Sequence, residues 1–302
     1  MTRAFTVGAW SGGYAEWTEG DTAFLSVAFT WNVPTAFSRA CWFNAAGYRV
    51  RAGGPGLWHP KSKARMGNIA ELGGEVPEAL FRHNPMATRA SRGCDEGCAW
   101  CIVPRMDGRE LVPMPDFTPR PVLVDDNLSA LSMEYQRYIV DRYLGHGVPL
   151  LDANSGFGPS RFDGETFDLW SRINDGPWRF GADETGEMDE VARVIGLLRR
   201  RGVPPKKIRP YVMIGREPFD LCMERIQRVL DAGAEPYVQP EIKLVAEFKE
   251  PWVRHDWTAH RLKQVQRWVN RFLWKTVPFA EYDASAKTRR VDRYDAQTGL
   301  FV

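Results

Sequence analysis

Cysteine and histidine are both scarce, five of each among 302 residues. So few cysteines, in odd number, do not make the dense disulfide framework of a small secreted domain. The histidines, His59, His83, His146, His255 and His260, show no HxxxH spacing, so no histidine-built zinc site is expected. Long apolar runs are missing, and none approaches the roughly 18–20 residues that cross a bilayer. The opening MTRAFTVGAWSGGYAEW has neither a basic n-region nor a continuous apolar h-region, so no secretory signal is expected. An excess of one charge is missing too. Forty Lys and Arg against 38 Asp and Glu leave +2, too little for a global electrostatic attraction to nucleic acid or membrane. There is no low-complexity segment. What is present is an ordinary globular composition, 44% hydrophobic and 26% charged, with 12 Trp. The expectation is a soluble cytoplasmic protein, without membrane attachment, whose clustered thiols serve a metal. Its length suits one large core with attachments.

Along the chain, the apolar run 23–29 (AFLSVAF) suits a buried strand. A helix is predicted over 34–46, with Pro34 in its first turn, and a short strand over 48–51 ending in Gly53-Gly54-Pro55-Gly56. Strand, helix and strand imply a parallel pair. Residues 57–85 read as irregular. From residue 86 strands and helices alternate: strands at 86–92, 121–125, 148–152, 178–181, 208–214 and 236–240, and helices near 129–145, 164–173, 186–201 and 218–232. The third helix is the clearest, with Met188, Val191, Val194, Ile195 and Leu198 on one face. Such alternation means a parallel sheet, open or curled toward a barrel, with ligands at the carboxyl ends of its strands. Those ends carry Cys94, Asp125-Asp126-Asn127, Asp152-Ala153-Asn154, Asp183-Glu184 and Gly215-Arg216-Glu217. A last helix is predicted over 258–275, with Trp252, Trp257, Trp268 and Trp274 interleaved among basic residues. The predicted organisation is an N-terminal α/β lobe (1–85), a βα core (86–245) and a basic, Trp-rich helical extension (246–302).

The sharpest motif is Cys94-Asp95-Glu96-Gly97-Cys98-Ala99-Trp100-Cys101, three thiols at CxxxCxxC spacing on a short loop. Thiolates so placed can turn toward one soft metal centre. A structural zinc wants four protein ligands and a plant-type ferredoxin cluster a fourth cysteine, whereas Cys41 and Cys222 stand alone in predicted helices and read as core residues. An iron–sulfur cluster with one iron open to a small ligand fits best.

This motif resembles that of the radical S-adenosylmethionine enzymes, CxxxCxΦC with an aromatic at Φ, here Trp100. The phrase RGCDEGCAWCIVP is most similar to the methylthiotransferase and cobalamin-type branches, and the likeness covers residues 86–241, about half the chain. The resemblance implies a partial (β/α)6, TIM-like barrel. It implies that Cys94, Cys98 and Cys101 ligate three irons of a 4Fe-4S cluster, and that S-adenosylmethionine on the fourth iron is cleaved to a 5′-deoxyadenosyl radical that abstracts a substrate hydrogen. It also implies an electron donor such as flavodoxin or ferredoxin. Matched to the family's strand ends, Asp126 faces the methionine amino group, and Asn154 and Arg161 suit the sulfonium and carboxylate. Asp183 or Glu184 would take the ribose hydroxyls, and Ile214 and Gly215 the adenine. The plainer alternative makes these carboxylates helix caps or solvated loop residues.

The departures narrow the reading. Residues 104–119 are too proline-broken for the usual first barrel helix, so a loop is expected there. Only Cys41 lies upstream of the motif, so the second cluster of methylthiotransferases is not expected. The unit ending GGPG resembles the last part of a cobalamin lobe but lacks the DxHxxG motif, which leaves cobalamin without a histidine ligand. The substrate expected is a nucleobase or nucleoside unit in RNA or DNA. A peptide or small metabolite is the enzymatic alternative, in which case the C-terminal region should pack as core. A non-catalytic iron–sulfur redox sensor or nucleic-acid-binding protein is the other. His59 and His83, upstream of the cysteines, read first as surface or loop residues. The strip Lys61, Lys63, Arg65 and the tail Lys287, Arg289, Arg290, Arg293 read as solvated surface.

Overall fold

A computed structural model describes residues 10–73 and 78–282, and the backbone of 294–295 and 300–301. The basic tail from Lys287 to Arg293 lies outside the described residues.

The N-terminal lobe is a four-stranded sheet. β1 (Tyr14–Glu19) turns back antiparallel onto β2 (Thr22–Val27), and α1 (Val33–Ala45) carries the chain to β3 (Arg49–Gly53), parallel to β2. Every residue of β2 is buried, and α1 covers the sheet with Val33, Ala36, Ala40 and Phe43. The predicted strand, helix and strand are therefore present. The reading of 57–85 as irregular is corrected. This stretch holds α2 (Pro60–Gly67), β4 (Glu71–Leu72), parallel to β3, and α3 (Ala79–His83). These escaped a periodicity reading because they are short and α2 buries Met66 alone. Glycine at 54 has a local cause: φ is +102°, and a Cβ there would lie 2.6 Å from the Val27 carbonyl oxygen.

The second part is a row of parallel segments in chain order. β5 (Ala87–Thr88) is followed by β6 (Ser91–Arg92), α4 (Val103–Met106) and β7 (Val112–Pro113), the last pairing antiparallel with β6. β8 (Val122–Leu123) then pairs parallel with β5, and after α5 (Met133–His146), β9 (Asp152–Ala153) pairs parallel with β8. α6 (Gly164–Trp170) leads to residues 178–181, tied to their neighbours by the parallel bridges Phe157↔Phe180, Trp178↔Ile208 and Gly181↔Tyr211. α7 (Met188–Arg200), β10 (Tyr211–Ile214), α8 (Phe219–Asp231) and β11 (Tyr237–Pro240) complete the alternation, β10 and β11 being parallel. No pairing joins β11 to β5 among the described residues, so the fold is mixed α/β without a closed barrel. The strands are shorter than predicted. The one expected over 208–214 starts at Tyr211, because Pro210 has no N–H for the ladder. The one expected over 86–92 is split at Arg89-Ala90, and the connection after it is the expected loop, shortened by α4.

Two large apolar cores and one small cluster result. The first core lies inside the N-terminal lobe, and the second joins the row to its helices, with all five predicted α7 residues fully buried; the small cluster is Ala87, Val122 and Val124, with Leu80 of α3 against it. α9 (Ala259–Asn270) belongs to this second core through Leu262, Val265, Trp268 and Val269. Trp257 and Trp268 are buried there, their indoles donating to the carbonyls of Glu217 and Val277 at 2.8 Å. The predicted helix over 258–275 ends at Asn270, followed by a single 3-10 turn over Leu273–Lys275. β12 (Tyr294–Asp295) and β13 (Leu300–Phe301) form a short antiparallel pair. No helix among the described residues is long and apolar enough to cross a membrane.

Candidate functional site

The cysteine loop follows β6, and the end of β8 anchors it residue by residue. Asp125 accepts from the Ala90 amide at 2.9 Å and the Ser91 hydroxyl at 2.5 Å. Asp126 accepts from the Gly93 amide at 2.9 Å. Asn127 accepts from the Gly158 amide at 2.9 Å, and its Nδ2 reaches the Cys94 sulfur at 3.9 Å. Three consecutive polar residues thus hold the entry to the loop. Gly93 permits this approach, with φ at +86° and space for a Cβ closed by the Glu110 carbonyl at 1.9 Å. Across the loop, Arg161 bonds Asp95 at 2.6 Å, and Arg105 bonds the carbonyls of Ala99 and Cys101.

Trp100 is held from the far side of the row. The Asp183 carboxylate accepts from its indole, and the Arg216 guanidinium lies 4.1 Å from its ring centroid. Arg216 is itself fixed by Glu184 at 2.7 Å and Glu241 at 3.4 Å. Burial pushes the Asp183 carboxyl up to about 7, and the neighbouring Glu187 charge adds to it.

Cys94, Cys98 and Cys101 are free, half-buried thiols. Burial raises all three, Cys98 to about 12 with Cys101 contributing next, so the thiolates are costly unless positive charge compensates them. Among the described residues no three His, Cys, Asp or Glu side chains converge as around one metal ion. A cluster asks for something else, since each thiolate takes a different iron. Three soft donors on one loop, bordering one cavity, fit that demand.

That cavity, about 2110 Å³, lies between the strand ends of the row and the N-terminal lobe. Of the residues singled out from sequence, the three cysteines, Trp100, Asp126, Asn154 and Asp183 line it. Arg161, Glu184, Ile214 and Gly215 are not in its wall. Arg161 and Glu184 are occupied by Asp95 and Arg216, Ile214 is fully buried, and Gly215 faces Leu262 of α9. His59 accepts from the Lys61 amide at the start of α2, away from the cavity, whereas His83 borders it. His83 is buried rather than on the surface. It sits between the hydroxyls of Ser11 and Ser26, and burial lowers its pKa.

Tyr211, Met213 and Glu187 also line the cavity and were not singled out for their side chains. Alternation along β10 carries the missing signal: Val212 and Ile214 are fully buried, so Tyr211 and Met213 face the other way. Comparison with models of known protein families gives no match for this chain, and comparison with curated proteins gives none either.

Proposed function

We propose that the chain is a radical S-adenosylmethionine enzyme built on a partial (β/α)6 barrel. The observation that carries this reading is the CxxxCxWC loop, placed after the first of the parallel segments and facing a cavity floored by their carboxyl ends. Cys94, Cys98 and Cys101 would hold a 4Fe-4S cluster. Bound there, cluster and S-adenosylmethionine supply the reductive cleavage that yields a 5′-deoxyadenosyl radical, with flavodoxin or ferredoxin as the electron source.

The chain's own residues position and enclose. Asp125, Asp126 and Asn127 set the loop's entry, and Asp183 with Arg216 sets Trp100 against the fourth and fifth strand ends. Asn154 and Asp183 offer hydrogen-bonding groups to the cofactor's polar parts from the cavity wall. The N-terminal lobe borders the opposite side of the cavity through Ser26, Phe29, Gly54 and His83.

For substrate we propose a nucleobase or nucleoside unit in RNA or DNA. A small metabolite or peptide is the second reading, and one observation favours it: the Trp-rich region packs as core through Trp257, Trp268 and α9. Anaerobic reconstitution followed by dithionite and S-adenosylmethionine tests the enzyme. We expect 5′-deoxyadenosine from the wild type, and neither cluster nor product from Cys98→Ala. An intact cluster that forms no 5′-deoxyadenosine would overturn the reading in favour of a redox sensor or a binding protein.

A further inference from the structure

A second pocket of about 550 Å³ lies within the row of parallel segments, bordered by Arg179, Lys206, Lys207, Arg209 and Tyr237. It shares Asn154, Tyr211 and Gln239 with the main cavity, so the two are separated by a single layer of side chains. Lys206 and Lys207 stand at its outer rim, in the turn before β10, and both are exposed.

Its inner wall is lined by two buried arginines, each ion-paired from outside the pocket. The Arg179 and Arg209 side chains are only 19% and 18% exposed. Arg179 is paired with Asp152, through Nε at 2.6 Å and Nη2 at 3.2 Å. Arg209 is poorly served. Its contact to Glu235 is long, 3.4 Å, that carboxylate is shared with Lys275 at 2.7 Å, and its buried Nε has no partner. The pocket wall itself carries four basic side chains, Arg179, Arg209, Lys206 and Lys207, against one carboxylate, Asp175. Asp152 and Glu235 pair the arginines from outside that wall, so the excess lies with the exposed lysines at the rim, where an anion would complement it. A phosphate monoester carries about −1.5 to −2 at pH 7 and presents acceptor oxygens suited to guanidinium forks.

We infer that this pocket is an oxoanion site that takes the phosphate group of a small phosphorylated molecule. The volume suits a ligand of metabolite size. That the phosphate belongs to the substrate rests on the radical-enzyme reading; the anion site itself does not.

The full chain as purified is titrated by calorimetry and thermal shift with inorganic phosphate and with ribose 5-phosphate, at ionic strength held constant with sodium chloride. Saturable binding is expected, weakened at least about tenfold in the exposed pair Lys206→Gln/Lys207→Gln. Arg209→Met should keep its fold and lose binding, whereas a purely structural Arg209 would lose stability and leave binding alone. Tighter binding of ribose 5-phosphate identifies an organic phosphate as the ligand, and equal binding a free oxoanion. Phosphate that does no more than chloride, or binds the double-lysine variant unchanged, overturns the site. Because the titration needs no cluster, a chain that binds phosphate yet forms no 5′-deoxyadenosine would leave this site standing and remove the radical chemistry.

Discussion

Asp126 shows how one side chain changes meaning between sequence and structure. Its position at a strand end marked it for a cofactor amino group, and it does border the cavity, but its carboxylate is engaged with the Gly93 amide. Removing it leaves that amide without its acceptor at the entry to the cysteine loop. Asp126→Ala should therefore retain fewer irons per chain after reconstitution, by iron and sulfide assay, with little change in far-ultraviolet dichroism. Asp183 makes a pH prediction. Its carboxyl holds a proton up to about pH 7 when folded, because it is buried beside Glu187, against roughly 3.9 for an unfolded aspartate. Folding then takes up a proton between those values, so the stability this group contributes is complete below about pH 4 and is lost as pH rises through about 7. Asp183→Asn keeps an acceptor for Trp100 and removes the titration. Urea midpoints compared at pH 4 to 8 should show the variant gaining on the wild type as pH rises.

Elements separate by how much of their length they bury. α7 was legible because apolar residues recur at helical spacing along its 13 residues, and the structure buries all five of that face, Met188, Val191, Val194, Ile195 and Leu198. β1, α2 and β4 were not, since β1 fully buries none of its six residues, α2 buries one methionine and β4 is two residues long, which leaves too little periodicity. α9 was legible as a helix but ambiguous in role, for a basic, tryptophan-bearing amphipathic helix suits either nucleic acid or a core. Leu262 and Val265 are fully buried in the row's core. Leu262→Ala should accordingly cost about 2–5 kcal/mol in urea unfolding. Replacing the exposed Arg267 by Gln should stay within about 0.5 kcal/mol.

At the scale of the molecule, two large apolar cores face each other across a cavity rather than fusing. Between them lie the small apolar cluster of Ala87, Val122 and Val124, against which Leu80 of α3 packs, and polar contacts such as the Thr30 hydroxyl on the Ala246 carbonyl at 2.5 Å. Each core should open with its own free energy. Hydrogen exchange in rising urea should show the amides of β2 and those of α7 losing protection at different midpoints. A single shared midpoint would mean that the two parts unfold as one.

Sequence alone determined the clustering of the three thiols and the α/β alternation, because thiol spacing and helical period are local properties of the chain. Which strand-end residues reach the cavity was decided only by tertiary packing. Arg161 and Glu184 are equivalent to Asn154 and Asp183 in sequence, yet the first two are spent on ion pairs and the last two border the cavity. The basic pocket, too, exists only in three dimensions. Its arginines come one each from two neighbouring segments, and their charges meet because the parallel pairing lays those segments side by side.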